Sequence, residues 1–190
     1  AGAVLKNALF TNGVMAFVII AVMGAVYLNI DRLGQPEELM PLIRPYYIVL
    51  LLSLPFAMLF NAFKQFIDSI TDTKTAMWIM LSGNIVNIVG NYILIFGKCG
   101  LPELGLLGAG IATVLSRMAM LALALGVFLR CERYRTYMHG FFGGKVTAEE
   151  QKRLNKLGLP VAMQMGMETA SFSLATIMVG WLGTNALAAH

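Results

Sequence analysis

The sequence predicts an all-α, polytopic integral membrane protein. Three observations carry this. The 190 residues are 58% hydrophobic and 13% charged, against about 25% charged in an ordinary soluble domain. The apolar residues gather into five runs, each reaching about the 17–25 residues that a membrane-spanning helix needs. The segments between the runs are short and hold nearly all the charges and turn-forming residues.

The runs follow in order. Ala8–Leu28 is free of charge over 21 residues, Tyr46–Phe63 over 18 and Thr75–Gly97 over 23. Leu104–Leu129 spans 26 residues with one interruption, Arg117, and Leu157–Gly183 spans 27 with one interruption, Glu168. A sixth apolar segment begins near Thr184, and the expectation is an internal piece of a longer protein. Of the links, Asn29–Pro45 holds Gly34 and prolines 36, 41 and 45, Lys64–Lys74 holds SITDT, and Lys98–Glu103 reads KCGLPE. The longest link, 131–156, contains Phe141-Phe-Gly-Gly, expected to be a flexible breaker, and Thr147-Ala-Glu-Glu150, which has the spacing of a capping box. The EEQKRLNKLG segment that follows reads as a short charged helical turn at the membrane surface.

The net charge of +4 does not point to nucleic acid, because the basic residues lie between apolar runs rather than on one soluble domain. With the links on alternating sides, one side receives Lys6, Lys64, Lys74, Arg130, Arg133, Arg135, Lys145, Lys152, Arg153 and Lys156. The other receives Arg32, Arg44 and Lys98. The richer side is expected to be cytoplasmic. Cys99 and Cys131 fall at opposite ends of one expected span, so they do not pair, and no His/Cys cluster suggests a metal.

Polar groups inside the runs are the candidate functional residues. A lone ionised carboxylate at mid-depth costs roughly 2.5–3.5 kcal/mol on insertion scales, so such residues usually line a path for ions or substrates. Glu168 is such a residue. Gln164, Glu168 and Ser171 form a stripe at i, i+4 and i+7, flanked by Met165 and Phe172. A polar stripe bordered by soft apolar groups suits an amphiphilic ligand. Asn84, Asn87 and Asn91 share a face of the third run beside Gly83 and Gly90. That face suits a cation, a water or a polar substrate group, and equally suits hydrogen bonding between helices. Gly108, Ala112 and Ser116 form a small-residue stripe on the fourth run, which reads as helix packing. Arg117 is an intramembrane charge that either reaches a water-filled cavity or pairs with an acid, Glu168 among the possibilities. No HExxH, GxSxG or phosphate-binding loop occurs, so the chain is not expected to be an enzyme.

Four ordered segments resemble the multidrug and toxic compound extrusion (MATE) family in its NorM-like branch. Phe63–Lys74 ends in TDTK, similar to the family's GDTK with Thr71 in place of the glycine. Val86–Gly97 (VNIVGNYILIFG) resembles its fifth helix, and Pro102–Thr113 (PELGLLGAGIAT) the entry to its sixth. Leu157–Pro160, Glu168 and Ala186–His190 resemble its seventh helix and the start of its eighth. The resemblance implies a twelve-helix transporter made of two six-helix bundles. Residues 1–130 would belong to the N-terminal bundle, 131–156 would be the cytoplasmic link, and 157–190 would open the C-terminal bundle. It implies exchange of sodium ions or protons for organic cations, in a bacterial inner (plasma) membrane. Glu168 matches the glutamate associated with cation coupling, and Asn87 and Asn91 match a polar network in the first bundle. A sodium ion at Glu168 is the only metal implied, no other cofactor is, and the remaining partners are the lipid bilayer and the rest of the same polypeptide. Two other functions compete. A lipid-linked oligosaccharide flippase of related fold would favour a strongly cationic cavity, and a non-transporting membrane scaffold should lack an isolated mid-span acid.

The charge bias predicts that, in intact cells, a membrane-impermeant thiol reagent labels Cys99 and spares Cys131. Labelling in the reverse pattern would contradict the orientation.

Overall fold

The computed structural model describes residues 2–29, 40–98, 100 and 102–181, which fold into helices with no strand among them. In order these are α1 (Gly2–Leu28), α2 (Met40–Ser69), α3 (Thr73–Ile95), α4 (Gly105–Arg130), a 3-10 turn (Glu132–Tyr134), α5 (Arg135–Gly143) and α6 (Ala148–Trp181). Two compact units result, residues 1–146 and 147–190. Among the described residues, α1 to α4 are long and apolar enough to cross a membrane. The apolar part of α6 carries Gln164, Glu168, Thr169 and Ser171, which lower its hydropathy. The segment expected from Thr184 lies outside the described residues, as do Gly34, Pro36 and Cys99.

Helices extend beyond the apolar runs wherever the backbone can continue. α2 begins at Met40, so Pro41 and Pro45 belong to the helix rather than to the link assigned to them. Proline is tolerated in a first turn, where backbone N–H groups have no intrahelical partner. The Pro45 ring lacks the N–H that would have bonded the carbonyl of Pro41, four residues back. At its other end α2 passes Lys64 and Asp68, which pair at 3.4 Å one turn apart. The charged EEQKRLNKLG segment is not a separate surface turn. It is the start of α6, which continues through Pro160 for 34 residues. The helix starts at Ala148, directly after Thr147, whose carbonyl accepts from Gln151 N–H at 3.1 Å. Glu149 and Glu150 occupy the first turn, where carboxylates favour the positive end of the helix dipole.

In the first unit α4 packs against both α2 and α3, and small residues allow it. Gly108, Ala112 and Ser116 are all buried. A Cβ on Gly108 would lie 2.6 Å from the backbone oxygen of Leu94 in α3. A Cβ on Gly110, on another face of α4, would meet the Tyr46 ring of α2 at 3.1 Å. Gly83 and Gly90 of α3 receive Met120 and Ala112 of α4 in the same way. The packing role read for the small stripe is the one it has.

The core concentrates at one end of the unit, around Leu5 (α1), Phe60, Phe63, Phe66 and Ile67 (α2), Ala76 and Ile79 (α3), and Ala124 and Phe128 (α4). That end holds the start of α1, the end of α2, the start of α3 and the end of α4. It carries Lys6, Lys64, Lys74, Arg130, Arg133, Arg135 and Lys145, and is called the basic end below. Tyr134 and Phe141 close over the core, so Phe141 is not part of a flexible breaker: its ring meets Phe128 edge-on at 5.5 Å. Helix α5 ends only at Gly143, with Gly144 in extended conformation.

Two helices of this unit end at a left-handed residue with a six-to-one bond. At the end of α3, Lys98 N–H bonds the Ile93 carbonyl at 3.0 Å and Gly97 takes φ +61°. At the end of α2, Asp72 N–H bonds Ile67 at 3.2 Å, Thr71 N–H bonds Asp68 at 3.0 Å, and Thr71 takes φ +61°. This six-to-one and five-to-two pairing requires a left-handed residue, normally glycine. For a β-branched residue that conformation is strained by about 1–2 kcal/mol. Thr71→Gly is therefore expected to raise stability by about 1 kcal/mol, less whatever glycine loses in the unfolded chain. Thermal unfolding of the detergent-solubilised protein measures it, and an unchanged or lower midpoint would refute the strain.

Candidate functional site

The left-handed turn at Thr71 delivers Asp72 to a fixed place. Asp72 ends the α2 motif and is also the residue before α3, its carbonyl accepting from Thr75 N–H at 3.1 Å. Its side chain is buried at 7% exposure. One carboxylate oxygen accepts from the Tyr134 hydroxyl at 2.5 Å and the Thr75 hydroxyl at 2.8 Å. The other lies 3.3 Å from the Arg133 guanidinium. The Tyr134 hydroxyl bond holds the Asp72 carboxyl below its usual range, aided by Thr75 and the Arg133 charge and opposed by burial. Burial first, then the Asp72 bond and charge, push the Tyr134 phenol up to about 12. Sequence reading missed this cluster. Asp72 and Thr75 appear in or beside TDTK, but Arg133 and Tyr134 are some sixty positions away and carry no local signal.

Deeper along the helices lies a second polar contact. Arg117 on α4 donates to the Ser53 hydroxyl on α2. Ser53 is fully buried and its own hydroxyl donates to the Leu50 carbonyl at 2.6 Å. Arg117 also lines a cavity of about 210 Å³ with Met23, Tyr47, Leu50, Leu51 and Leu54. Tyr47 reaches the Met23 carbonyl across it at 3.0 Å. The cavity beside Arg117 is lined mostly by apolar side chains, and the described partner of Arg117 is a hydroxyl rather than an acid.

The asparagine face is divided. Asn91 Nδ2 donates to Asn87 Oδ1 at 3.1 Å, one helical turn away. Both side chains are half-buried, and Asn91 Oδ1 is buried with no hydrogen-bond donor. Asn84 is exposed and instead lines a groove between α2 and α3 with Lys64, Asp68, Thr73 and Met80. The structure thus brings Asn87 and Asn91 together and leaves Asn84 apart.

Gln164, Glu168 and Ser171 run along α6 in the second unit, with Met165 and Phe172 beside them, all exposed there. The Ser171 hydroxyl bonds the Met167 carbonyl at 2.8 Å and the Thr169 hydroxyl the Met165 carbonyl at 2.9 Å. Both hydroxyls are therefore turned back onto their own helix, which leaves Gln164 and Glu168 as the stripe's outward polar groups. Among the described residues no three His, Cys, Asp or Glu side chains gather as a metal centre would require.

The MatE family model matches residues 1–93. A probable multidrug resistance protein NorM of Photorhabdus laumondii is 32% identical over 186 residues, which cover 98% of this chain and 41% of that protein. One from Mannheimia succiniciproducens is 35% identical over 164 residues, covering 85% of this chain and 35% of that protein. The multidrug resistance protein NorM of Vibrio parahaemolyticus is 35% identical over 147 residues, covering 76% and 32%. This chain belongs to the MATE family. It spans about two fifths of the length of the first of these relatives. As a MATE chain with several membrane-crossing helices it is a multi-pass membrane protein. Thr71, which stands where the resemblance implies a glycine, holds the left-handed backbone that a glycine adopts freely.

The Asp72 cluster has a defined pH range. A depressed carboxyl contributes stability that is full above its unfolded value, about 3.9, and is lost as pH falls through its lower folded value. A raised phenol contributes stability that is full below about 10 and is lost as pH rises through its higher folded value. Between about pH 5 and 9 the cluster is therefore expected to contribute constantly. Tyr134→Phe should cost about 1.5–3 kcal/mol, the worth of a hydrogen bond to a charged group. Unfolding titrations across that range would show a constant difference between wild type and variant. A difference that grew or vanished within the range would refute the assignment.

Proposed function

We propose that the chain is part of a cation-coupled exporter of amphiphilic organic cations, driven by sodium ions or protons. It works by alternating access between two bundles, α1–α4 belonging to the first and α6 opening the second. The basic end faces the cytoplasm, and the membrane is the bacterial inner membrane. Kinship with proteins named for multidrug resistance supports the substrate class. The observation that carries the coupling is Glu168, the single charge in the apolar part of α6. A carboxylate within hydrocarbon is costly unless neutralised. A proton, a sodium ion or a cationic substrate each neutralises it, and occupancy by one excludes the others. That exclusivity is the minimum requirement for exchange. Gln164 lies one turn away and offers a carbonyl to a bound cation, while Met165 and Phe172 present soft apolar surface to a drug.

Asn87 and Asn91 support a polar path in the first bundle. The buried Asn91 Oδ1 lacks a donor, and such an acceptor is a place for a water or a cation to be held. Arg117, by contrast, is already bonded to Ser53 and serves to hold α4 against α2.

The test is efflux of an organic cation from vesicles carrying the full-length transporter, under an imposed sodium or proton gradient. Glu168→Gln keeps the side-chain shape and removes the charge. It is expected to abolish gradient-driven efflux while leaving expression and membrane insertion near wild type. Wild-type rates from Glu168→Gln under both gradients would remove the coupling role.

A further inference from the structure

We infer that residues 131–145, which follow α4 at the end of the first unit, are a clamp rather than a tether, and that Asp72 is its central positioning residue. The segment follows α4 and would be expected to lead loosely toward the next helix. It instead returns across the basic end and reaches α1, α2 and Asp72, the residue that precedes α3. Toward α2 and α3, Tyr134 and Arg133 both engage Asp72. Tyr137 meets Phe66 of α2 edge-on at 5.6 Å, and Tyr134 and Phe141 meet Phe128 of α4. Toward α1, Lys6 Nζ donates to the Gly144 carbonyl at 2.7 Å and Asn7 Nδ2 to the Lys145 carbonyl at 3.4 Å. Gly2 lies so close to α5 that a Cβ there would stand 2.0 Å from the Tyr137 carbonyl oxygen. Helices α1, α2 and α4, and the turn that leads into α3, are thus held at the same end by one stretch of chain.

The contacts are of the kind that do not yield gradually. Tyr134 is wholly buried, Asn7 is wholly buried, and Asp72 nearly so. Removing either partner of the Asp72–Tyr134 bond leaves a polar group without its match in a closed site. Packed groups of this sort shift between discrete arrangements rather than flexing. The basic ends of α1, α2, α3 and α4 therefore move as one body. The clamp reaches Lys145, and α6 starts at Ala148. Any change of arrangement between the units is then taken up beyond the clamp, after Lys145. This last step rests on the alternating-access reading above; the clamp itself does not.

Distance measurements between spin labels test both parts in the full-length transporter with Cys99 replaced by serine. The first pair joins Cys131 to Lys74→Cys, both exposed, one beside Arg133 and Tyr134 in sequence and the other beside Asp72. Its distance distribution is expected to be single and narrow, and the same in sodium, at low sodium and with tetraphenylphosphonium added. The second pair joins Cys131 to Leu157→Cys and is expected to shift between those conditions. A shift in the first pair overturns the single rigid body, and none in the second overturns motion beyond the clamp. Asp72→Asn combined with Tyr134→Phe is then expected to broaden the first pair's distribution at least twofold. Should that double variant fail to fold, Arg133→Gln, which keeps the Tyr134 bond, is expected to broaden it by a smaller factor. A distribution as narrow as wild type in the variant that folds overturns the clamp. If wild type moves no organic cation under either gradient, the transport reading fails while the first pair still decides the clamp.

Discussion

Close approach along α4 is the constraint on which the rest of the first unit depends. Helices in hydrocarbon gain nothing from hiding apolar surface from each other, because the lipid is as apolar as they are. Their association rests on packing contacts and hydrogen bonds. Gly108 turns one face of α4 to α3 and Gly110 another to α2, each at a separation where a methyl group would collide. Only with α4 seated at this depth does Arg117 reach Ser53 and Phe128 reach Phe63 and Phe66. The glycines are thus the reason an intramembrane charge and a distant aromatic core fall into register together.

At the basic end a different physics takes over. Here water is near, charges are plentiful, and most exposed ion pairs would contribute little. The Lys64–Asp68 pair, about a third exposed on both sides, is of that kind. Asp72 is not, because burial and three donors fix its geometry. Its position in turn depends on Thr71, the strained residue that reverses the chain. Local strain, a helix terminus and a long-range contact are therefore one arrangement, in which Thr71 bears a backbone cost that the bonds made by Asp72 offset.

The long apolar runs made four helices readable from sequence, because nothing but a helix satisfies the backbone in hydrocarbon. The ends were less readable. Hydropathy stops at Phe63 and at Tyr46, but the backbone continues helical past Lys64, since charge does not oppose a helix in the aqueous layer, and back through Pro45, which forgoes one bond, to the first-turn Pro41. The contact of Asn87 with Asn91 was legible because helical periodicity alone puts residues four apart together. The contact of Asp72 with Tyr134 was not, because no local rule joins residues 62 positions apart. Nor did the sequence distinguish Asn84 from its neighbours: all three asparagines lie within about 60° of arc, and only the placement of α4 decides which of them is covered.

Arg117 and Glu168 were read from sequence as the same kind of anomaly, a charge within a span, but their chemistry separates them. A guanidinium keeps its proton at any pH a cell experiences, so its cost in the membrane is constant and must be met by a permanent partner. Ser53 is such a partner, buried and fixed by its own bond to Leu50. A carboxylate has no such obligation. It can be neutralised by a proton or by a small cation, and each exchange changes the cost of its location by several kcal/mol. That difference is what an exchanger uses: the free energy of one ligand leaving and another arriving biases which arrangement of the protein is favoured. The permanent charge therefore belongs with the packing of the first unit. The titratable one belongs with the proposed cycle, and the clamp at Asp72 gives that cycle a rigid body to move against.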